Sequence, residues 1–370
     1  MNINMADLKK QHDGLRDEID NVIREVIDSS AFILGGKVTE FEDNYSTFTG
    51  AKHTIGMASG TGALHAALAA LDIGIGDEVI TVPFTFAATV EVIYLTGAKP
   101  VFVDIEPDSF TMDVSKIEKA ITDKTKVILP VHLYGQMADM DSIMELAKKY
   151  ELKVIEDAAQ AQGALYNGAH AGTIGDIGTF SFYPGKNLGT MGDAGACTTN
   201  NGALAERMRL LLNHGQSTKY AHTIVGYNYR LDTIQAAVLN VKLKELSKWN
   251  AQRNIIASVY TDNLKDTNLI LPLINENRNH VWHQYVIRTE KRDALKEALS
   301  DLGIATGLHY PIPLSLQPAF AYLGYKKGDF PIAELCSEEV LSLPMYPELS
   351  DETAVEISKE VVKICKQLGI

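Results

Sequence analysis

The sequence predicts an α/β protein: a large domain with a mainly parallel sheet flanked by helices, then a smaller C-terminal α+β domain. Two observations carry this. Through the first two thirds of the chain, short β-rich runs alternate with helical patterns, as β–α units feeding a parallel sheet do. After a charged helical stretch around Ile234–Tyr260 that alternation stops, and a strand-like run, a helix and a Pro-rich segment follow.

In chain order the predicted strands are Lys52–Met57, Asp77–Val82, Pro100–Asp104, Lys126–Leu133, Leu152–Asp157 and Gly178–Phe182, often bounded by Gly, Pro or Asp. Helices are predicted at Thr61–Leu71, Phe86–Thr96, Val114–Thr122 and Met140–Tyr150. The later part gives a strand at His280–Arg288, a helix near Asp293–Leu302 and the Pro-rich Tyr310–Pro318. The domain boundary is placed near Glu245, inside a connecting helix, giving domains 1–245 and 246–370. With no flexible linker between them, the two parts are expected to pack rigidly. In such sheets ligands bind where strands deliver their C-terminal ends.

Composition narrows the function. The 370 residues hold 34 Lys+Arg against 47 Asp+Glu, a net charge of −13, which repels polyanions and argues against a nucleic-acid partner. The polar start, Met1 to Asp20, does not read as a secretory signal, and no apolar run approaches the roughly 20 residues that cross a bilayer. Three cysteines, Cys197, Cys336 and Cys365, lack a CxxC pair and fit a reducing cytoplasm without zinc or disulfides.

Three segments carry chemistry. The apolar run Val154-Ile155-Glu156-Asp157 delivers a carboxylate at a strand end, although a strand-end or capping Asp is common by itself. Tyr183-Pro184-Gly185-Lys186-Asn187-Leu188-Gly189 holds a lone lysine in a Gly-rich, otherwise uncharged loop. A free lysine, with pKa about 10.4, is almost wholly protonated at pH 7, so a nucleophilic one needs a cofactor or desolvation. Met57-Ala58-Ser59-Gly60-Thr61-Gly62 leads from a strand into a helix whose unpaired N–H groups suit a phosphate. It is neither a Walker A loop nor GxGxxG, and alone it is a simple helix cap.

Together these are the three groups that pyridoxal 5'-phosphate requires: a phosphate cradle, a lysine for its aldehyde, and a carboxylate that keeps the pyridine nitrogen protonated. Other features read as structural. His132 sits in a predicted strand as a hydrogen-bonded core residue, His280 and His283 fall on opposite faces of their strand, and Lys242–Lys248 is a solvated helix face.

At these residues the sequence resembles the DegT/DnrJ/EryC1/StrS family of nucleotide-sugar aminotransferases, within fold type I (aspartate aminotransferase-like) of the pyridoxal-phosphate enzymes. Further matches are Gly35-Gly36 with Val38, Glu40, Phe41 and Glu42, then Gly226-Tyr227-Asn228-Tyr229-Arg230-Leu231-Asp232 with Gln235-Ala236-Ala237, His309-Tyr310-Pro311 and Leu343-Pro344-Met345-Tyr346.

The resemblance implies that Lys186 is the Schiff-base lysine and proton carrier, and that Asp157 partners the ring nitrogen. It implies that Gln160 bonds the cofactor's phenolic oxygen and Phe86 stacks on its ring. Ser59, Gly60, Thr61 and Ser181 hold the phosphate, joined by Asn228 from a neighbouring subunit, so a cytoplasmic homodimer with shared sites is expected. Tyr183, Lys219, His309 and Tyr310 are candidates for touching the sugar nucleotide. Some members with histidine in place of the lysine are dehydratases, so Lys186 favours transamination.

The segments around Lys186 and Gly192–Ala196 look most like members that move the amine of L-glutamate, through pyridoxamine phosphate, onto C3 of a dTDP-3-oxo-6-deoxyhexose. That chemistry supplies amino sugars for glycans such as O-antigen and S-layers, or for secondary metabolites. Three alternatives stay open: a 4-oxo or UDP-linked sugar, a pyridoxal-phosphate enzyme of elimination or desulfuration, and a regulator that keeps only the fold.

Overall fold

The computed structural model describes residues 2–370. Its centre is a seven-stranded sheet: β1 (His53–Met57), β2 (Glu78–Thr81), β3 (Lys99–Phe102), β4 (Thr125–Ile128), β5 (Lys153–Asp157), β6 (Ile177–Ser181) and β7 (Gly195–Thr199). The spatial order is β1-β7-β6-β5-β4-β2-β3, and β7 alone runs antiparallel to its neighbours. Strands sandwiched between helix layers bury both faces, which is why β2 and β7 are buried at every position.

The helices start where a side chain can satisfy their free N–H groups. Ser59 caps Gly60–Ala70, Asp113 caps Val114–Ala120 and Asp139 caps Met140–Lys149. Two helices precede the sheet, Arg16–Ser29 and Gly36–Thr49, the second closed by Gly50 in the left-handed conformation.

A second apolar core lies in the C-terminal part, joining Ile256, Tyr260, Leu295, Leu341, Ile357 and Val361. It packs on a two-stranded antiparallel ribbon, β8 (Tyr285–Arg288) with β9 (Val340–Leu343). Val281, Val286, Phe320 and Phe330 instead join the sheet's own core, so the C-terminal part is fastened to the sheet by apolar packing. Among the described residues, no helix is long and apolar enough to cross a membrane.

The structure corrects three expectations. The helix expected through Glu245 is broken there into Thr233–Leu243 and Leu246–Leu264, so 245/246 falls at a turn. Only Tyr285–Arg288 of the expected 280–288 strand is strand. His280 makes an isolated bridge to Gln136 and Trp282 has φ of 49°, so strand alternation does not apply to His280 and His283.

Lastly, the run 242–248 is not uniformly solvated. Lys242 is 0% exposed, its Nζ has no hydrogen-bond partner, and it lies 5.7 Å from the centre of the Trp249 ring. The helix turns this residue inward among Val238, Val241 and Leu246, where a charge is desolvated.

Burial pushes the Lys242 pKa down to about 8, against the pull of Glu348. A lysine whose folded pKa is lowered costs nothing above its unfolded value near 10.5. The cost grows as pH falls toward 8 and then stays constant. Lys242→Met is therefore expected to raise unfolding stability by roughly 1–3 kcal/mol at pH 7, with the gain shrinking as pH rises from about 8 and gone above about 10.5 in denaturant titrations.

Candidate active site

The sheet topology assembles the site. Because β7 runs antiparallel, its first residue, Gly195, pairs with Met57 of β1 and Ser181 of β6 at the ends where those two strands finish. A side chain at Gly195 would lie 2.4 Å from the Ser59 carbonyl carbon, so only glycine lets the β1 turn come so close. One strand further along, Asp157 ends β5 in register with Thr179. The turn after β1 and the ends of β5 and β6 thus meet at one rim of the sheet.

That rim opens into a cavity of about 640 Å³. Among its lining residues are Ser59, Gly60, Thr61, Phe86, Asp157, Gln160, Ser181, Tyr183, Lys186, His309 and Tyr310. Eleven of the thirteen residues singled out in the sequence therefore share one site. Asn228 and Lys219 do not line it: Asn228 bridges Asn213, and Lys219 sits in an exposed hairpin with Nζ 5.3 Å from the Tyr220 ring centre. Both were expected to act on a neighbouring subunit's site.

Lys186 is reachable from the cavity yet densely surrounded by protein, and that desolvation pushes its pKa down to about 8 with Asp157 opposing. Asp157 is 5% exposed. Burial pushes its carboxyl up, while the Thr89 hydroxyl at 2.8 Å and the Ala159 N–H at 3.2 Å stabilise the charged form. The two groups are coupled through space without forming an ion pair, which suits a cationic ring placed between them.

The other groups are held in place. Gln160 Oε1 accepts from Tyr134 N–H at 2.8 Å and its Nε2 donates to Tyr310 Oη at 3.2 Å, which leaves one amide hydrogen for a ligand. Gly60 and Thr61 begin a helix, so their N–H groups precede its first internal bond. A Cβ on Gly60 would lie 2.6 Å from Ser181 Cβ, so this corner stays open only for backbone and a ligand. Gly60→Ala is expected to weaken cofactor affinity at least about tenfold and to lower folding stability by roughly 1–3 kcal/mol, since its methyl overlaps Ser181. Equilibrium dialysis of the cofactor checks this.

Behind the site, His132 Nδ1 accepts from Ala138 N–H, so its Nε2 donates to Glu156 at 2.9 Å. Glu156 also accepts from the N–H groups of Gly172, Ile174 and Gly175. This satisfied buried pair fixes β5, and His132 stays out of the cavity.

Sequence reasoning missed Thr85, Thr89, Asp193, His283 and Gln284 as lining residues. For Thr89 a signal existed: a polar residue inside an apolar helix. His283 and Gln284 come from a distant segment, and nothing local marks them.

These residues fit pyridoxal phosphate: a helix N-terminus that can cradle a phosphate, a strand-end carboxylate and a desolvated lysine line one cavity. Such a site on a seven-stranded, mainly parallel sheet defines the fold type I class of pyridoxal-phosphate enzymes. Residues 13–362 match the DegT/DnrJ/EryC1/StrS aminotransferase family, and the chain belongs to it.

Three relatives illustrate its surroundings. A Geobacillus stearothermophilus protein named as a pleiotropic regulatory protein is 49% identical over 100% of both chains. The dTDP-3-amino-3,6-dideoxy-α-D-galactopyranose transaminase of Aneurinibacillus thermoaerophilus is 44% identical, over 97% of this chain and 98% of its own. The UDP-N-acetyl-3-dehydro-α-D-glucosamine 3-aminotransferase of Acidithiobacillus ferrooxidans is 46% identical over 96% of each.

Among solved structures, S. venezuelae DesV in complex with a ketimine intermediate superposes with TM-score 0.97 at 42% identity, over 99% of both chains. NtdA from Bacillus subtilis, with bound pyridoxamine phosphate, superposes with TM-score 0.89 at 36% identity, over 95% of this chain and 82% of its own. The protein is a pyridoxal-phosphate-dependent sugar aminotransferase.

Proposed function

We propose that the enzyme transfers the amino group of L-glutamate to C3 of a dTDP-linked 3-oxo-6-deoxyhexose, giving the 3-amino-3,6-dideoxyhexose and 2-oxoglutarate. The observation that supports the transamination in this reading is the desolvated, unpaired Lys186 in one cavity with Asp157 and the Ser59–Thr61 cradle. When bound, the cofactor supplies an electron sink that lets an amine be exchanged for a ketone.

The protein's part is positional and acid–base. Asp157, held by Thr89 and Ala159, would face the ring nitrogen and favour its protonated form. Ser59, Gly60, Thr61 and Ser181 anchor the phosphate, with Asn228 of a second subunit completing the cradle. Gln160 takes the phenolic oxygen, and Phe86 covers the ring. Lys186 would hold the cofactor, and its free amine would carry a proton on the cavity side of the bound substrate. Burial, which pushes the free amine down to about 8, brings it nearer the working pH than a solvated lysine, so it would give up and take back a proton more readily.

Tyr183, His309 and Tyr310 line the cavity and would meet the sugar, and Lys219 of a second subunit would neutralise pyrophosphate. The names of the A. thermoaerophilus and A. ferrooxidans relatives both specify amine placement at position 3, which supports C3; the dTDP nucleotide rests on the residues around Lys186.

A UDP-linked 3-oxo sugar is the second reading, favoured by the A. ferrooxidans relative. Incubation with L-glutamate and dTDP- and UDP-linked 3-oxo and 4-oxo sugars, with product mass and regiochemistry determined, tests both. Amination of the 3-oxo dTDP sugar is expected. Amination only at C4, or of no nucleotide sugar, overturns the proposal.

A further inference from the structure

We propose that His283 is a specificity-determining residue, its Nε2 accepting a hydrogen bond from a hydroxyl on a carbon next to the one that receives the amine. This deepens the sugar-aminotransferase reading and rests on it.

A chain of hydrogen bonds anchored on two backbone carbonyls fixes the imidazole's tautomer. Asn250 Nδ2 donates to Gln162 O at 2.9 Å, so Asn250 Oδ1 is the acceptor for Asn187 Nδ2, also at 2.9 Å. The same Asn187 Nδ2 donates its second hydrogen to Val281 O at 2.7 Å. With both amide hydrogens spent, Asn187 turns Oδ1 toward His283, whose Nδ1 at 3.2 Å must be the donor. Asn187 is 1% exposed and His283 8%, so no bulk water competes within this chain.

The ring stays neutral. Burial holds its pKa well below the usual value, and the Lys186 and Arg253 cations and the neighbouring His309 and His280 rings act in the same direction. A neutral imidazole protonated at Nδ1 keeps a bare lone pair on Nε2, and no protein group among the described residues donates to it. His283 lines the cavity that holds Lys186.

The next residue supplies an independent sign. Gln284 lines the same cavity, and its Oε1 is buried without a partner. This wall thus presents the free acceptor of His283 beside a Gln284 amide with an unpaired oxygen. Among the described residues Lys186 is the only lysine or arginine lining the cavity, so the wall beside His283 carries no cationic side chain. Hydroxyl groups match it, and the polyhydroxylated ketone of the proposed reaction carries them beside its reacting carbon. A buried acceptor left unpaired by a deoxy substrate costs affinity.

The test uses the cofactor-loaded enzyme and calorimetric binding of the dTDP-linked 3-amino-3,6-dideoxyhexose, with analogues lacking the C2 or the C4 hydroxyl. Wild type is expected to bind one of the two analogues at least about tenfold more weakly than the parent sugar. His283→Ala should weaken the parent by a similar factor, leave that analogue unchanged, and leave L-glutamate binding unchanged. Equal binding of all three sugars to wild type, or equal losses for all three in the variant, overturns the proposal.

A measurement on the wild-type fold covers the case of a misfolded variant. In ¹⁵N-histidine-labelled enzyme, the resonance coupled to Asn187, identified through a conservative Asn187→Asp change, should be the Nδ1–H tautomer at pH 7. An Nε2–H or imidazolium signal overturns the assignment. If no dTDP- or UDP-linked amino sugar binds at all, the sugar-aminotransferase reading fails instead, and the tautomer measurement still judges His283.

Discussion

Lys186→Ala is expected to abolish turnover and to remove the covalent attachment of the cofactor, while the fold and noncovalent cofactor binding survive. The physical reason is that, among the described residues, no other amine lines the cavity. The loss combines two contributions: the covalent anchor, and a proton carrier worth about 10²–10⁴-fold by itself. Folding should change little, because the Lys186 side chain forms no ion pair among the described residues, and removing a desolvated amine relieves a burial cost. Single-turnover rates and circular dichroism distinguish a dead site from a lost fold. A variant that retains more than about 1% of the rate would show that another group does this work.

Asp157→Asn carries the next largest effect. Asparagine keeps the size of the side chain and can still meet Thr89 and Ala159, so cofactor binding and stability should hold. What disappears is the negative charge that favours a protonated ring nitrogen. Because Asp157 is buried, little water screens that charge and its removal is felt in full. The expected result is a fall in kcat of at least about a hundredfold with a small change in KM for the sugar. A fall in cofactor affinity with kcat preserved would assign Asp157 to anchoring rather than to charge.

The parts of the site that could be read from the chain are those whose chemistry is tied to local strand and turn grammar. Asp157 closes an apolar strand, Ser59–Thr61 opens a helix, and Lys186 stands alone among glycines, so each is visible within ten residues. His283 and Gln284 depend on a segment nearly a hundred residues further on folding back over the sheet, and spacing does not encode that. Strand β7 was also illegible. Its first residues, Gly195-Ala196-Cys197, are small because β7 passes close to Ser59, and small residues are weak strand formers. The inward turn of Lys242 escaped for the opposite reason: a lysine among charged neighbours looks solvated until helix phase and tertiary packing are known.

The account stands on which nitrogen takes the cofactor. Enzyme loaded with pyridoxal phosphate, treated with borohydride, digested and sequenced by mass spectrometry should carry the phosphopyridoxyl mass on Lys186 and on no other residue. The same mass on Lys219 or another surface lysine, with Lys186 unmodified, would contradict it.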